Sequence, residues 1–235
     1  MKKIIICLII FTSYGLSAQK TVEEYIDIGK EKSDLKDYYG AIAEFTKAIE
    51  LNNYSWGYPY FLRGAAKADL NDYKGAVLDY TKAINIEENE GFYSGRAEAK
   101  VELNDFYGAI ADYTKVIELD PNAPLFIYRA RAELFRNLRD QKSLIKDCNK
   151  IIELDSSNSW AYLNRAYANL LLENFYASIA DYNKVIELDP SIAISYEGRG
   201  DAKENLGDIK GACMDWKKAG ELGYDNLDWV REKCN

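Results

Sequence analysis

Histidine is absent from all 235 residues. That removes the commonest general base, every Ser-His or Cys-His nucleophile pair and every histidine-containing metal site. Cysteine is scarce, with four residues and no C-x-x-C spacing, so neither a zinc nor a redox motif is supported. There is no glycine-rich phosphate loop, and no apolar run approaches the roughly 20 residues that span a bilayer. A basic tract is missing as well: 30 Lys and Arg stand against 38 Asp and Glu, a formal charge of −8. Such a chain is a poor candidate for nucleic acid or for an anionic membrane surface. What is present is globular composition, 48% apolar and 29% charged, with length enough to bury a sizeable core.

The first 19 residues read differently from the rest. Lys2 and Lys3 precede an unbroken apolar run, Ile4 to Phe11, and then small and polar residues up to Gln19. This order of charge, apolar core and small-residue tail predicts a secretory signal peptide over 1–19, cleaved after Ala18 or Gln19. Cys7 lies inside the apolar run, which argues against lipid attachment there. Export to the periplasm or outside the cell is therefore expected, with an oxidising destination and no membrane span after cleavage.

The remainder repeats itself. YYGAIAEFTKAIELN from Tyr38 returns as YKGAVLDYTKAINIE from Tyr73 and FYGAIADYTKVIELD from Phe106. It returns again from Gln141, Phe175 and Ile209. Matching positions Ala41, Ala76, Ala109, Leu144, Ser178 and Ala212 are separated by 35, 33, 35, 34 and 34 residues. Within the third copy, Tyr93, Arg96, Ala97 and Lys100 share one helical face. Asn104-Asp105 breaks that helix, with Asp105 as the cap of the next. Ala109, Ile110, Tyr113, Val116, Ile117 and Leu119 form the apolar stripe of the second helix. Asp120-Pro121 and Asp189-Pro190 read as stops. Each unit is thus two helices, with a small residue at their closest approach.

The unit resembles the tetratricopeptide repeat, and the chain is identified as an exported bacterial member of that family. The opening aromatic stands as Tyr25, Tyr60, Tyr93, Tyr128, Tyr162 and Tyr196. The small residue that follows it stands as Gly29, Gly64, Ala97, Ala132, Ala166 and Gly200. The later aromatic is Phe45, Tyr80, Tyr113, Tyr182 and Trp216, with Cys148 in the fourth copy. The closing Ala is Ala48, Ala83 and Ala219 and is loosened elsewhere, and the closing Pro survives only at Pro121 and Pro190. The resemblance implies an all-α, right-handed solenoid over 20–223. Its six repeats fall near 22–55, 57–88, 90–123, 125–158, 159–192 and 193–223, and its concave groove would hold other proteins. Residues 224–235 are expected to form a capping helix, as solenoids require at an end.

One departure from the family's Leu is systematic. Arg63, Arg96, Arg131, Arg165 and Arg199 are each followed sixteen residues later by Asp79, Asp112, Asp147, Asp181 and Asp215. The constant offset predicts a structural Arg–Asp ladder within the repeats rather than an anion-binding stripe. Ile28 and Glu44 replace the pair in the first copy. Among the cysteines, Cys148 occupies an aromatic core slot and is expected as a buried thiol. Cys213 takes the apolar slot that faces the next repeat, which leaves the terminal segment with Cys234 to cover it. A Cys213–Cys234 disulfide and two independent thiols both remain open.

No residue singles itself out as catalytic. The carboxylates recur with the period, and Arg199-Gly200-Asp201 falls at ordinary repeat positions. No cofactor or metal is expected, and the chain reads as a non-enzyme. Carrying the family's groove positions across gives Tyr58 and Phe61, Phe126, Arg129, Glu133 and Arg136, Trp160, Leu163, Tyr167 and Leu170, and Ile194, Glu197, Asp201 and Glu204. The Lys and Asn set that clamps a C-terminal carboxylate in some family members is not there. Apolar and aromatic patches separated by acids suit a protein or peptide partner carrying apolar and basic residues. Two classes follow: an exported scaffold that binds a segment in its groove, or a structural subunit of a cell-envelope assembly. Trp160 and Leu163 have a further reading, packing between neighbouring repeats.

Overall fold

The computed structural model describes residues 20–224 and Cys234. The expected signal segment, 1–19, lies outside the described residues, as does the expected capping helix apart from Tyr224 and Cys234. The described residues form twelve α-helices and no strand. They are α1 (Val22–Asp34), α2 (Tyr38–Leu51), α3 (Gly57–Asp69), α4 (Tyr73–Ile86), α5 (Glu90–Glu102) and α6 (Phe106–Leu119). Then follow α7 (Leu125–Asn137), α8 (Gln141–Leu154), α9 (Ser159–Leu171), α10 (Phe175–Leu188), α11 (Ala193–Asn205) and α12 (Ile209–Glu221). The chain divides into two compact units between Glu87 and Glu88. The first holds two helical hairpins, α1–α4, and the second holds four, α5–α12. Within each unit every helix packs on its sequence neighbours, and in the second unit α9 also meets α11.

The helix boundaries have local causes. Asp37, Asp72, Asp105, Asp140 and Asp208 cap the second helices, each carboxylate accepting from the backbone N–H three residues on. Such a cap is worth about 1 kcal/mol. The residue before each cap turns the chain by adopting the left-handed conformation: Lys36, Asn71, Asn104, Arg139 and Glu173 at φ 58 to 61°, and Gly207 at φ 83°. At the other end α6 and α10 stop at Leu119 and Leu188, ahead of the Asp-Pro pairs. Proline is not required for such a stop. Asp155 ends α8 without one, its carboxylate taking the Ser157 N–H at 3.0 Å, as Asp120 takes Asn122 and Asp189 takes Ser191.

Ala41, Ala76, Ala109, Leu144, Ser178 and Ala212 are all fully buried where the two helices of a hairpin meet. The approach is close enough that the Ser178 hydroxyl donates to the Ala166 carbonyl of the facing helix at 2.9 Å. The later aromatics fill the space beside them: Phe45, Tyr80, Tyr113, Tyr182 and Trp216 are at most 4% exposed. A methyl group on Gly64 would stand 2.9 Å from the Tyr80 ring, so the small residue and the aromatic are fitted to each other. The fourth repeat exchanges the two sizes. Leu144 takes the small slot and Cys148 the aromatic one, both fully buried, and the core is filled from the other helix. Burial pushes the Cys148 thiol up to about 12, which makes it a packing group and not a nucleophile.

Candidate functional site

The Arg–Asp pairs form as a framework. Arg63 donates to both carboxylate oxygens of Asp79 at 2.8 and 2.7 Å, and Arg96, Arg131, Arg165 and Arg199 do the same to Asp112, Asp147, Asp181 and Asp215 at 2.5 to 2.9 Å. The five carboxylates are buried and the guanidinium groups 15 to 23% exposed. Lys67, Lys100 and Lys203, one turn beyond the arginine, add an ammonium at 2.7 Å to Asp79, Asp112 and Asp215. The first repeat lacks the arginine: Lys32 meets Glu44 at 2.7 Å and, with Lys47 at 3.0 Å, holds its carboxyl below the usual range. A further bond ties one repeat to the one before it. Nη1 of Arg63 donates to Thr46, Arg131 to Thr114, Arg165 to Asn149 and Arg199 to Asn183. The tyrosine three residues earlier lies under the guanidinium in four repeats, at 5.4 to 5.5 Å. With its donors turned inward onto protein acceptors, the ladder holds hairpins together and presents no anion site.

The groove residues named from the sequence separate into three places. Tyr58 and Phe61 lie in the first unit, in an aromatic run: Trp56 to Tyr58 at 5.6 Å, Tyr58 stacked on Phe61 at 6.1 Å, Phe61 against Tyr80 at 5.7 Å. Lys30 sits 5.2 Å over the Tyr58 ring. In the second unit Phe126 is exposed, and Arg129 bonds Glu133 at 3.2 Å while its guanidinium covers the Trp160 ring at 5.0 Å. Glu133 also borders a hollow of about 260 Å³ with Glu98, Glu102 and Tyr113. Burial there raises the Glu98 carboxyl.

Trp160, Leu163, Tyr167 and Leu170 come together. All four rise from α9 and line one side of a pocket of about 500 Å³, within the range of ligand sites. Ile194, Glu197 and Asp201 of α11 form the facing side. These two helices follow each other around the groove, and spacings of three and four residues bring each set onto one face. The Gly198 position keeps the two repeats close, since a side-chain carbon there would overlap the Tyr182 ring of α10. Arg136 reaches the rim from α7 and donates to the buried Asn164 at 3.3 Å, whose amide donates to the Trp160 carbonyl at 2.7 Å. Trp160 has two roles in this geometry: it lines the pocket and also packs on the buried cluster around Tyr128, Ala132 and Leu144. Tyr167 is 48% exposed and lines the pocket.

Three lining residues were not foreseen as groove residues. Asn164 occupies no groove position, Tyr182 reads as a core aromatic, and Tyr224 follows the last hairpin. Tyr182 serves both ends, its ring in the core and an edge at the pocket, and burial pushes its phenol well above the usual range. Cys213 and Cys234 are joined in a disulfide with Cα atoms 5.6 Å apart. Among the described residues no group of three or more His, Cys, Asp or Glu side chains could hold a metal ion. No described helix is long and apolar enough to cross a membrane.

Comparison with known proteins decides the family. The sequence matches the Tetratricopeptide repeat family over residues 25–54, 58–90, 91–123 and 161–192, more than half of the chain. The chain is a tetratricopeptide repeat protein. Family membership makes protein–protein interaction its class of function, and tetratricopeptide repeats are generally non-catalytic scaffolds. Solved structures share the fold. YrrB, described as a TPR protein with an unusual peptide-binding site, superposes with a TM-score of 0.69 at 18% identity, covering 80% of this chain and 97% of its own. The C-terminal part of a TPR repeat-containing protein from Cytophaga hutchinsonii gives 0.66 at 19%, covering 88% and 83%. A tetratricopeptide repeat protein from Parabacteroides merdae gives 0.61 at 21%, covering 90% and 96%. A search of curated proteins found no match.

Proposed function

We propose that this tetratricopeptide repeat protein is an exported, non-catalytic scaffold that holds a peptide or protein segment against α9 and α11. The observation that carries the reading is the pocket of about 500 Å³ whose walls are Trp160, Leu163, Tyr167, Leu170 and Ile194. Aromatic side chains held by a rigid framework are the usual anchors of protein recognition, because they add contact area at little cost in side-chain freedom. The ladder supplies that rigidity from the other face of the same helices, Arg165 lying between Leu163 and Tyr167 and Arg199 between Glu197 and Asp201. YrrB, with its peptide-binding site, shows that the fold accommodates such a ligand in another protein. Export rests on the charged and apolar order of residues 1–19. The intact mass of the protein from an envelope fraction tests it, with a mature N-terminus near Lys20 expected and a full-length mass counting against it.

The groove is tested by capture from the same fraction with wild-type and Tyr167→Ala protein, read by mass spectrometry. A partner retained by the first and lost by the second supports the site. A partner retained equally by both rejects it. Size-exclusion of native extract separates the scaffold, which elutes free, from a permanent subunit of an envelope assembly, which elutes only in a large complex.

A further inference from the structure

Two positions that are periodic elsewhere change together in the fifth repeat. The ladder lysine, which is Lys32, Lys67, Lys100 and Lys203 in other repeats, is Asn169 here, and the capping aspartate is Asn174. The two amides turn toward each other: Asn174 Nδ2 donates to Asn169 Oδ1 at 3.4 Å. Asn169 is 8% exposed, and its own Nδ2 meets no acceptor among the described residues. Among the six described second helices, α10 alone lacks a side-chain cap. The N–H groups of Gly40, Gly75, Gly108, Ser143 and Gly211 each donate to the capping aspartate, whereas that of Ala177 has no such acceptor. Asn169, Asn174 and Ala177 line a hollow of about 460 Å³ at the head of α10, together with Glu173 and Tyr176. A buried donor without a partner is costly, and a ligand acceptor removes that cost.

The composition of the hollow selects its occupant. Its donors are the Asn169 amide and the first N–H groups of α10; its acceptors are the Glu173 carboxylate and Asn174 Oδ1. Glu173 repels an anion, and the positive end of the α10 dipole opposes a cation. A neutral ligand with donors and acceptors side by side meets both conditions, and hydroxyl groups on adjacent carbons supply them. The Tyr176 ring, 79% exposed, offers an apolar face beside these groups. We propose that this hollow binds an uncharged pyranose of a glycan, its hydroxyls on Asn169, Asn174 and Glu173 and the C–H face of its ring on Tyr176. The site shares no residue with the pocket between α9 and α11 and does not depend on the groove reading given above.

The test applies the full oxidised chain to an array of uncharged and charged oligosaccharides and titrates those retained against wild type and four variants. Asn169→Lys and Asn174→Asp restore the periodic residues, so both should fold, with melting temperatures at or above that of wild type. Each is expected to lower affinity for an uncharged oligosaccharide by about tenfold or more, as is Tyr176→Ala. Tyr107→Ala removes a comparably exposed tyrosine at the same position of α6 and should leave affinity unchanged. Retention of uncharged oligosaccharides with that pattern of losses supports the site. The inference is overturned if wild type retains none of them, or retains only charged ones. It is overturned equally if Asn169→Lys and Asn174→Asp bind as tightly as wild type, or if Tyr107→Ala weakens binding as much as Tyr176→Ala.

Discussion

The Arg–Asp ladder and the pocket are built on the same helices and follow opposite rules. In the ladder an arginine three residues after the opening tyrosine meets an aspartate sixteen residues on, and five repeats do it alike. In the pocket nothing recurs. Trp160, Leu163, Tyr167 and Leu170 have as their counterparts in the sixth repeat Ile194, Glu197, Asp201 and Glu204, three acids where the fifth has apolar residues. A repeat array divides its labour by period: what returns every 34 residues or so holds neighbours together, and what departs from it is free to fit a ligand.

That division predicts that the two regions can be damaged separately. The largest effect is expected from Asp112→Asn. The buried carboxylate has Arg96 and Lys100 against it, and its loss leaves two cations without a full counter-charge. A cost of about 3–5 kcal/mol follows, with the melting temperature of the second unit falling by on the order of 10 °C. Peptide affinity at the groove should stay within twofold or so, measured by titration below the transition. A large loss of affinity in a folded variant would mean the ladder is part of the binding site.

Reduction of Cys213–Cys234, or a double change to serine, comes next. The bond closes a separation of 21 residues, worth roughly 3 kcal/mol in the chain-entropy account. Thermal unfolding with and without reductant measures it, and thiol counting on unfolded, unreduced protein lacking residues 1–19 should find one free thiol, Cys148. Three free thiols would show that the bond does not form in the isolated protein.

Tyr167→Ala sharpens the comparison from the other side. It should weaken a groove peptide tenfold or more, about 2 kcal/mol, while the melting temperature hardly moves, because its ring is half exposed. Trp160→Ala is expected to move both readouts, since that ring lines the pocket and packs on the core of the fourth and fifth repeats. Equal behaviour of the two variants would show that the pocket and the core are not distinct at α9.

The smallest expected change is a gain. Glu173 holds a left-handed turn at φ 61°, a conformation that costs a residue with a Cβ about 1–2 kcal/mol, where the sixth repeat has Gly207. Glu173→Gly should recover about 0.5–1 kcal/mol after the entropy lost by glycine on folding. Because Glu173 borders the hollow at the head of α10, the same variant shows whether that carboxylate contributes to glycan binding.

The periodic half of the molecule was largely legible in the sequence, because hydrophobic period and constant offsets depend on contacts within one hairpin. The six helix pairs, the Asp105 cap and the Arg–Asp offset are all of that kind. The third bond of Arg63, Arg131, Arg165 and Arg199 was not legible, since Thr46, Thr114, Asn149 and Asn183 meet it only once hairpins stack. Nor was the role of Lys32, which stands in for the arginine missing at Ile28 by reaching Glu44 from one turn further on. The proline stops were legible and hold at Leu119 and Leu188, whereas the stop at Asp155, made by a carboxylate without a proline, was not. For the pocket, the α9 stripe could be placed from family positions, but Asn164, Tyr182 and Tyr224 arrive from positions with no groove signature. Tyr58 and Phe61, placed in the groove by the same rule, are engaged with Trp56 and Tyr80 in the first unit.

The bond from Arg63, Arg131, Arg165 and Arg199 back to the preceding hairpin gives the stacking within each unit a direction. Every link needs a hydroxyl or amide on one side and a guanidinium on the other, like the pin and socket of a coupling. At the start, Ile28 has no pin to offer. In α12 the socket position that is Thr46, Thr114, Asn149 and Asn183 elsewhere becomes Lys217. A further hairpin of the same design, or the front of another molecule, docking on α12 would bring a cation against a cation. Lys217→Asn would restore at α12 the amide found at Asn149 and Asn183.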